Sequence, residues 1–249
     1  MPAYIDSFWR YRLKGGAGER TDQLTVDTVV GVVDDRQFGI RRTSDTMNAW
    51  VSKKNFFVCA NEPQMACEQP RFVLGPGIHN DSLDEEYVLE LAERLGSKSE
   101  LLVQHARGAY SLHDTPGAFA SFLNIATVGA LSDYMGKKVD LRRFRMNGWI
   151  QGLRAFEELE WVQGYPGTKV IEIGDCRFRV DHANVRCKAV DAKPDSGAFD
   201  LEVFAALREM MVKRGYMPPH AQKPWVMGIL AVPLSDGIIV RGDTIRLTT

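Results

Sequence analysis

Lys169 to Val180, KVIEIGDCRFRV, holds two runs of alternating apolar and polar residues around Gly174-Asp175. Alternation at period two marks a strand with one buried face, and a Gly-Asp step between two such runs suits the tight turn of a hairpin. A chain built around this segment is committed to antiparallel sheet, and its other β-prone segments must supply the partners. The tail supplies three of them, between Val226 and Leu247, separated by Ser235-Asp236-Gly237 and Arg241-Gly242-Asp243. Upstream, Thr25 to Val33 (TVDTVVGVV) and Asn55 to Cys59 (NFFVC) are β-branched or aromatic, with turns at Asp34-Asp35 and Asn61-Glu62-Pro63.

Helical periodicity is sparser. Ser82 with Glu85 reads as a capping box before the stripe Tyr87, Val88, Leu91 and Leu95, which ends at Gly96. Thr127 is placed to cap a helix carrying Val128, Leu131, Tyr134 and Met135, stopped by Gly136. Asp200 caps a third with Phe204, Leu207 and Met211, ending at Gly215. Leu141 to Met146 (LRRFRM) reads as extended, and GPGIHNDS (Gly75 to Ser82) reads as a break between two halves. The expected fold is mainly β with α: a β-barrel or strongly curved sheet with helices packed outside.

Charge narrows the partners. Lys and Arg number 31 against 32 Asp and Glu, so no global field draws the chain to nucleic acid or an anionic membrane, and any anion site must be local. Met1 to Gly16 holds no apolar stretch of secretory length, and the longest apolar run, Trp225 to Val232, is too short to cross a bilayer. A cytoplasmic protein is expected. The four cysteines, Cys59, Cys67, Cys176 and Cys187, form no CxxC, so neither a zinc knuckle nor a dithiol redox pair is indicated.

If LRRFRMN is a strand, Arg143, Arg145 and Asn147 share one face and make an anion clamp, because guanidinium forks match phosphate oxygens. A solvated edge strand explains the same charges. Cys187 stands between Arg186 and Lys188, cations that favour a thiolate able to attack a substrate or ligate a metal. His182 invites a Cys-His pair, yet the two lie five positions apart and point to opposite faces of an unbulged strand. Ligation or burial therefore fits Cys187 better than a dyad. His79, His105, His113 and His220 occur singly, without a metal-binding spacing.

Taken in order, these segments resemble the MOSC family, named for the C-terminal domain of molybdenum cofactor sulfurases. The similarity runs through YRLKGGAGE (Tyr11 to Glu19), GVVDDRQFGI (Gly31 to Ile40), SLHDTPGAFASFLNIATVGAL, VDLRRFRMNGWIQG, VIEIGDCRFRV, VRCKAVDAKPDSG (Val185 to Gly197) and GIIVRGDTIRL (Gly237 to Leu247). The series RFRxN, IGD, RCxxxDxxxxxG and IxxGDxIRL is its most specific part.

The resemblance implies a MOSC-type β-barrel with peripheral helices over residues 81–249, preceded by an N-terminal β-rich segment over 1–80. It implies a molybdenum-pterin cofactor, independent of pyridoxal phosphate, with Cys187 as metal ligand and catalytic centre. Lys14, Arg36, Thr127, Arg143, Arg145, Asn147 and Arg186 would hold the pterin and its phosphate. The implied activity is reduction of N-hydroxylated or N-oxide substrates. No iron-sulfur, haem or flavin module is recognisable, so electrons would come from a partner protein carrying one. The alternative is a non-catalytic carrier of the cofactor or its sulfur. A Cys hydrolase or a nucleic-acid module resting on LRRFR is disfavoured by the predicted Cys-His geometry and the balanced charge. Two positions depart from the family pattern: Gly15, where Ser is frequent, and Val185, where a small polar residue is, so two hydrogen bonds to the cofactor are expected to be missing.

Overall fold

The computed structural model describes residues 2–42, 56–75, 81–96, 101–105, 112–114, 117–219 and 223–248, with backbone alone for 42 and 101–105. Strands β1 (Tyr4–Arg10) and β2 (Glu19–Thr21) are followed by β3 (Gln23–Asp27), β4 (Gly31–Val32) and β5 (Phe38–Arg42). Two short strands, β6 (Phe72–Val73) and β7 (Ser82–Leu83), precede helix α1 (Glu85–Arg94) and strand β8 (Leu101–His105). Then come β9 (Ala120–Asn124), α2 (Ile125–Met135), β10 (Gly148–Gln151), α3 (Glu157–Glu160), β11 (Val170–Ile173) and β12 (Cys176–Val185). Helix α4 (Val203–Arg214) leads to the tail strands β13 (Val226–Pro233), β14 (Gly237–Val240) and β15 (Ile245–Thr248).

Eight strands form one sheet in the order β15-β11-β12-β13-β9-β10-β1-β2. Its pairings are antiparallel except β9 with β10, whose parallel register is reached through the crossover carrying α2. The ends of this sheet meet. Tyr4 bridges Thr244, Ile245 N donates to Ala3 O at 2.8 Å, and Ile5 N donates to Asp243 O at 3.0 Å. This closure makes a barrel, with β1 joined to β10 on one side and to the lead-in of β15 on the other. Closing a sheet removes unpaired edges that would otherwise invite aggregation. Residues such as Phe8, Phe122, Trp149, Phe178 and Ile229 fill the main core. A second cluster, with Leu13, Phe38, Ile40, Phe57, Tyr87 and Leu91, sits beside it.

The α+β reading holds, with 34% strand and 24% helix. The hairpin around Gly174-Asp175 is present as β11 and β12, and the three tail strands fall where their turns placed them. Several local expectations are corrected. Asp84, not Ser82, caps α1 by accepting from Tyr87 N. Asn124, not Thr127, caps α2, because its carboxamide accepts from Ala126 N. Helix α4 follows Glu202, while Asp200 is taken by an ion pair to Arg143. LRRFRM is not extended: Leu141–Phe144 is a 3-10 turn, started by Asp140, which accepts from Arg142 N at 2.8 Å. NFFVC makes only an isolated bridge at Phe56, residue 55 lying outside the described residues, as does most of the break after Gly75.

Candidate functional site

Strand β12 controls the position of the site. Burial alternates from Cys176 to Val180 and then fails, with Val180, Asp181, His182 and Ala183 all buried. The cause is two irregularities in its pairing with β13. Asp181 is extra on β12 between Val180 and His182, and β13 carries the extra residue opposite Asn184, near Gly228. Gly228 takes φ +76, and a Cβ there would come within 2.6 Å of Phe122 O. Bulges re-aim side chains. β12 is therefore not the unbulged strand on which the two would point apart, and His182 and Cys187 both line one cleft of about 340 Å³.

Cys187 lies just after β12 and starts a 3-10 turn, Lys188–Asp191. It is half-buried. Beside it, Arg186 donates to Met227 O at 2.7 Å and to Phe144 O at 2.9 Å and lies over the Phe144 ring. No carboxylate reaches ion-pair distance of Arg186 among the described residues. Burial consequently pushes its guanidinium down to about 9.

Tyr11 forms a pivot for two more cations. The Arg145 guanidinium lies 4.4 Å and that of Arg36 5.2 Å from its ring centre, and Arg36 Nη2 donates to Arg145 O at 2.7 Å. Arg145 holds a left-handed backbone, φ +52, which turns its side chain back over Tyr11. Arg36 also pairs with the buried Asp35. Arg145 Nη2 and the Tyr11 hydroxyl are buried without a hydrogen-bond partner among the described residues. Burial pushes the Tyr11 phenol up to about 12, against the pull of Arg145 and Arg36. Lys14 Nζ donates to Leu112 O and to Asp114 Oδ1, both at 2.7 Å.

Two histidines line the cleft. His113 packs edge-on to Phe119, and its Nε2, 4.0 Å from Asp35 Oδ2, has no hydrogen bond among the described residues. Burial, then Arg36 and Lys14, hold it well below the usual imidazole range, so it is neutral. His182 is different: its Nδ1 lies 2.6 Å from Asp181 Oδ2.

Of the residues singled out in the sequence, the fold brings Lys14, Arg36, Arg143, Arg145, Arg186 and Cys187 to this cleft. Arg143 arrives already engaged, donating to Asp191 O and paired with Asp200. Asn147 and Thr127 do not reach the cleft. Asn147 is fully buried, its Oδ1 accepting from Ser121 N and Oγ and its Nδ2 donating to Trp9 O, so it ties β9 to β1. Thr127 donates to Glu158 Oε2 at 2.9 Å and accepts from Phe156 N, stitching α2 to α3. No residue pattern around Asp181 signals the bulge, so the sequence alone offers no reason to place His182 at the cleft. His79, His105 and His220 fall on residues or side chains outside those described.

The departure at Gly15 has a steric cause: at φ +85, a Cβ would come within 2.9 Å of Val58 Cα and 3.0 Å of Phe57 O. Val185 is exposed. Cys59 is buried, its Sγ donating to Gly15 O at 3.1 Å, and lines the cleft as well as a smaller cavity of about 60 Å³ behind Arg145.

A family model described as the MOSC domain matches residues 109–246. Among solved structures the chain is similar to YuaD from Bacillus subtilis, at 11% identity and a TM-score of 0.45, over 99% of this chain and 96% of that one. It is also similar to YiiM from Geobacillus stearothermophilus, at 15% identity and a TM-score of 0.36, over 53% of this chain and 54% of that one. No curated protein matches. No described helix is long and apolar enough to cross a membrane.

Proposed function

Because the chain belongs to the MOSC domain family, which is associated with molybdenum cofactor binding, we propose that its cleft holds a molybdenum-pterin cofactor with the Cys187 thiolate as protein ligand. The observation that carries the reading is the set of cations around the half-buried Cys187. Arg186 has carbonyl partners and no carboxylate, and Arg145 keeps a buried donor unpaired, among the described residues. Buried charge and buried donors left in this state are costly, and an anion bearing phosphate and ring acceptors offsets both costs. The cleft volume falls in the range of ordinary cofactor sites.

In this reading Arg145, Arg36 and Lys14 contact the acidic end of the cofactor, and Arg186 sets a positive charge beside the neighbouring sulfur. Arg143 stiffens the turn that presents Arg145. Asn147 and Thr127 act through the scaffold. When bound, the metal would supply two-electron chemistry able to remove oxygen from an N-oxygenated substrate, with electrons delivered by a partner protein. The chain's own residues bind, orient and shield.

The test is metal analysis with pterin fluorescence on protein made in a host that synthesises the cofactor. Wild type should carry up to about one molybdenum per chain by one-thiolate stoichiometry, and Cys187→Ala should lose most of it. Metal content unchanged in that variant would sink the assignment. Stoichiometric cofactor with no turnover of any N-hydroxylated compound would move the reading to a carrier.

A further inference from the structure

Among the described residues, four that are not glycine hold a left-handed backbone, and two of these, Arg36 at φ +49 and Arg145 at φ +52, send their guanidinium groups to one ring. Such backbone costs free energy, and where it recurs beside a cleft it marks a geometry that the surrounding structure enforces. The ring is that of Tyr11, which is 2% exposed. Both arginines line the cleft, whereas Tyr11 borders the smaller cavity behind Arg145. An effect of Tyr11 on a ligand of the cleft therefore passes through the arginines.

The ring is held from several directions. Tyr11 N donates to Asp35 Oδ1 at 2.8 Å, Tyr11 O accepts from Arg36 N at 2.6 Å, and Asp35 pairs with the Arg36 guanidinium. A Cβ at Gly18 would come within 2.4 Å of Tyr11 Cε1, so the chain there lies against the ring and leaves it little room to turn aside. Arg36 Nη2 reaches Arg145 O at 2.7 Å, which ties the two arginines to each other. Their like charges repel, and Asp35 offsets only one of them, because no carboxylate reaches ion-pair distance of Arg145 among the described residues. What both guanidinium groups share is the negative face of the ring. The hydroxyl takes no part in this. It has no hydrogen-bond partner among the described residues, and burial keeps its proton on, so Tyr11 meets the cations as a neutral face and not as a phenolate.

We infer that Tyr11 is a positioning residue, whose ring sets Arg36 and Arg145 as a matched pair for one oxyanion of the ligand in the cleft and whose hydroxyl is dispensable. The inference rests on the cofactor reading given above, in which that oxyanion is the phosphate of the pterin. Two guanidinium groups ordered before binding lose little freedom when the phosphate arrives, and each adds a charge-assisted hydrogen bond. Without the ring, repulsion would drive them apart, and binding would have to bring them together again.

The experiment replaces Tyr11 with Phe and with phenylalanines carrying one, three and five ring fluorines, each with Arg145 intact and with Arg145→Ala, in a host that makes the cofactor. Each added fluorine weakens the negative face of the ring while its size and burial change little, so the milder members of the series keep the fold. Pterin released on serial dilution is read by fluorescence, molybdenum by metal analysis, and folding by melting temperature. Tyr11→Phe should hold cofactor within about 2-fold of wild type, because the hydroxyl it loses was unpaired. Retention should then fall stepwise with fluorination, by roughly 10-fold over the series, the size of one or two cation–π contacts. With Arg145→Ala in place the fall should be smaller, since the ring has one guanidinium fewer to hold. Equal retention across the series overturns the inference, and so does a full loss already in Tyr11→Phe, which would hand the role to the hydroxyl. A fall of the same size with and without Arg145 also overturns it, by making the ring a filler of the core. Wild type that carries no cofactor overturns the cofactor reading itself, before any variant is compared.

Discussion

Arg145 is costly to the fold, and in the proposed function that cost has a use in holding a ligand. Its left-handed backbone is a conformation non-glycine residues adopt reluctantly, and its Nη2 is buried without a partner among the described residues. Stability does not explain such a residue, because a shorter side chain would leave nothing unpaired. Arg145→Ala should therefore melt within a few degrees of wild type. Its cofactor retention should fall by roughly 10- to 100-fold, as expected for a lost charge-assisted hydrogen bond of about 1.5 to 3 kcal/mol. Equal retention in a protein of equal stability would return the LRRFR arginines to a structural role. The neighbours make the contrast: Arg142 pairs with Asp140 and Asp195, and Arg143 with Asp200, so only Arg145 of the three stays available.

At the scale of elements, α2 and α3 are joined by a buried acid. Glu158 has no exposed surface, accepts from Thr127 through Oε2, and leaves Oε1 without a hydrogen-bond partner among the described residues. Burial pushes its carboxyl up to about 7, despite the opposing hydrogen bonds from Thr127 and the backbone. The folded protein thus holds a proton that the unfolded chain releases in the ordinary carboxylate range. Stability is highest below that range and falls as pH rises through about 7, by roughly 3 kcal/mol in total. Glu158→Gln should abolish this decline and leave the variant more stable than wild type at pH 8, by denaturant titration at pH 5 and pH 8. The same slope in both proteins would show that Glu158 ionises without penalty. Strand β12 makes a complementary point, since its irregular pairing costs ladder hydrogen bonds where His182 comes to line the cleft.

For the whole molecule, the decisive feature is that the cleft has two walls of different origin. Phe144, Val190 and Leu230 belong to the barrel side, while Lys14, Gly15, Val58 and Cys59 come from the N-terminal part. A ligand held by both walls binds the folded state and not the unfolded chain, and must stabilise it. Cofactor at about 100-fold over its dissociation constant contributes about 2.7 kcal/mol, equivalent to roughly 5 to 10 °C in a chain of this size. Loaded and cofactor-free protein should differ by that much in differential scanning calorimetry. Coincident melting curves would mean that the cofactor does not bind the folded protein at that concentration.

The sequence by itself determined what depends on neighbours along the chain. The hairpin at Gly174-Asp175, the tail strands and the glycine stops of α2 and α4, both left-handed, were all legible, because turn chemistry and periodicity act over a few residues. The ordered motifs also carried Cys187 and the cations that now surround it. Only the tertiary structure decided which of the polar side chains singled out in the sequence were already spent, since Asp200, Asp195 and Ser121 are distant in sequence from Arg143, Arg142 and Asn147. It alone placed the extra residue of β12 at Asp181, because a bulge is a mismatch between two strands and leaves no mark on either one. It alone closed the barrel, through backbone bonds between Ala3 and Ile5 at one end of the chain and Asp243 and Ile245 at the other, groups that every residue type carries alike.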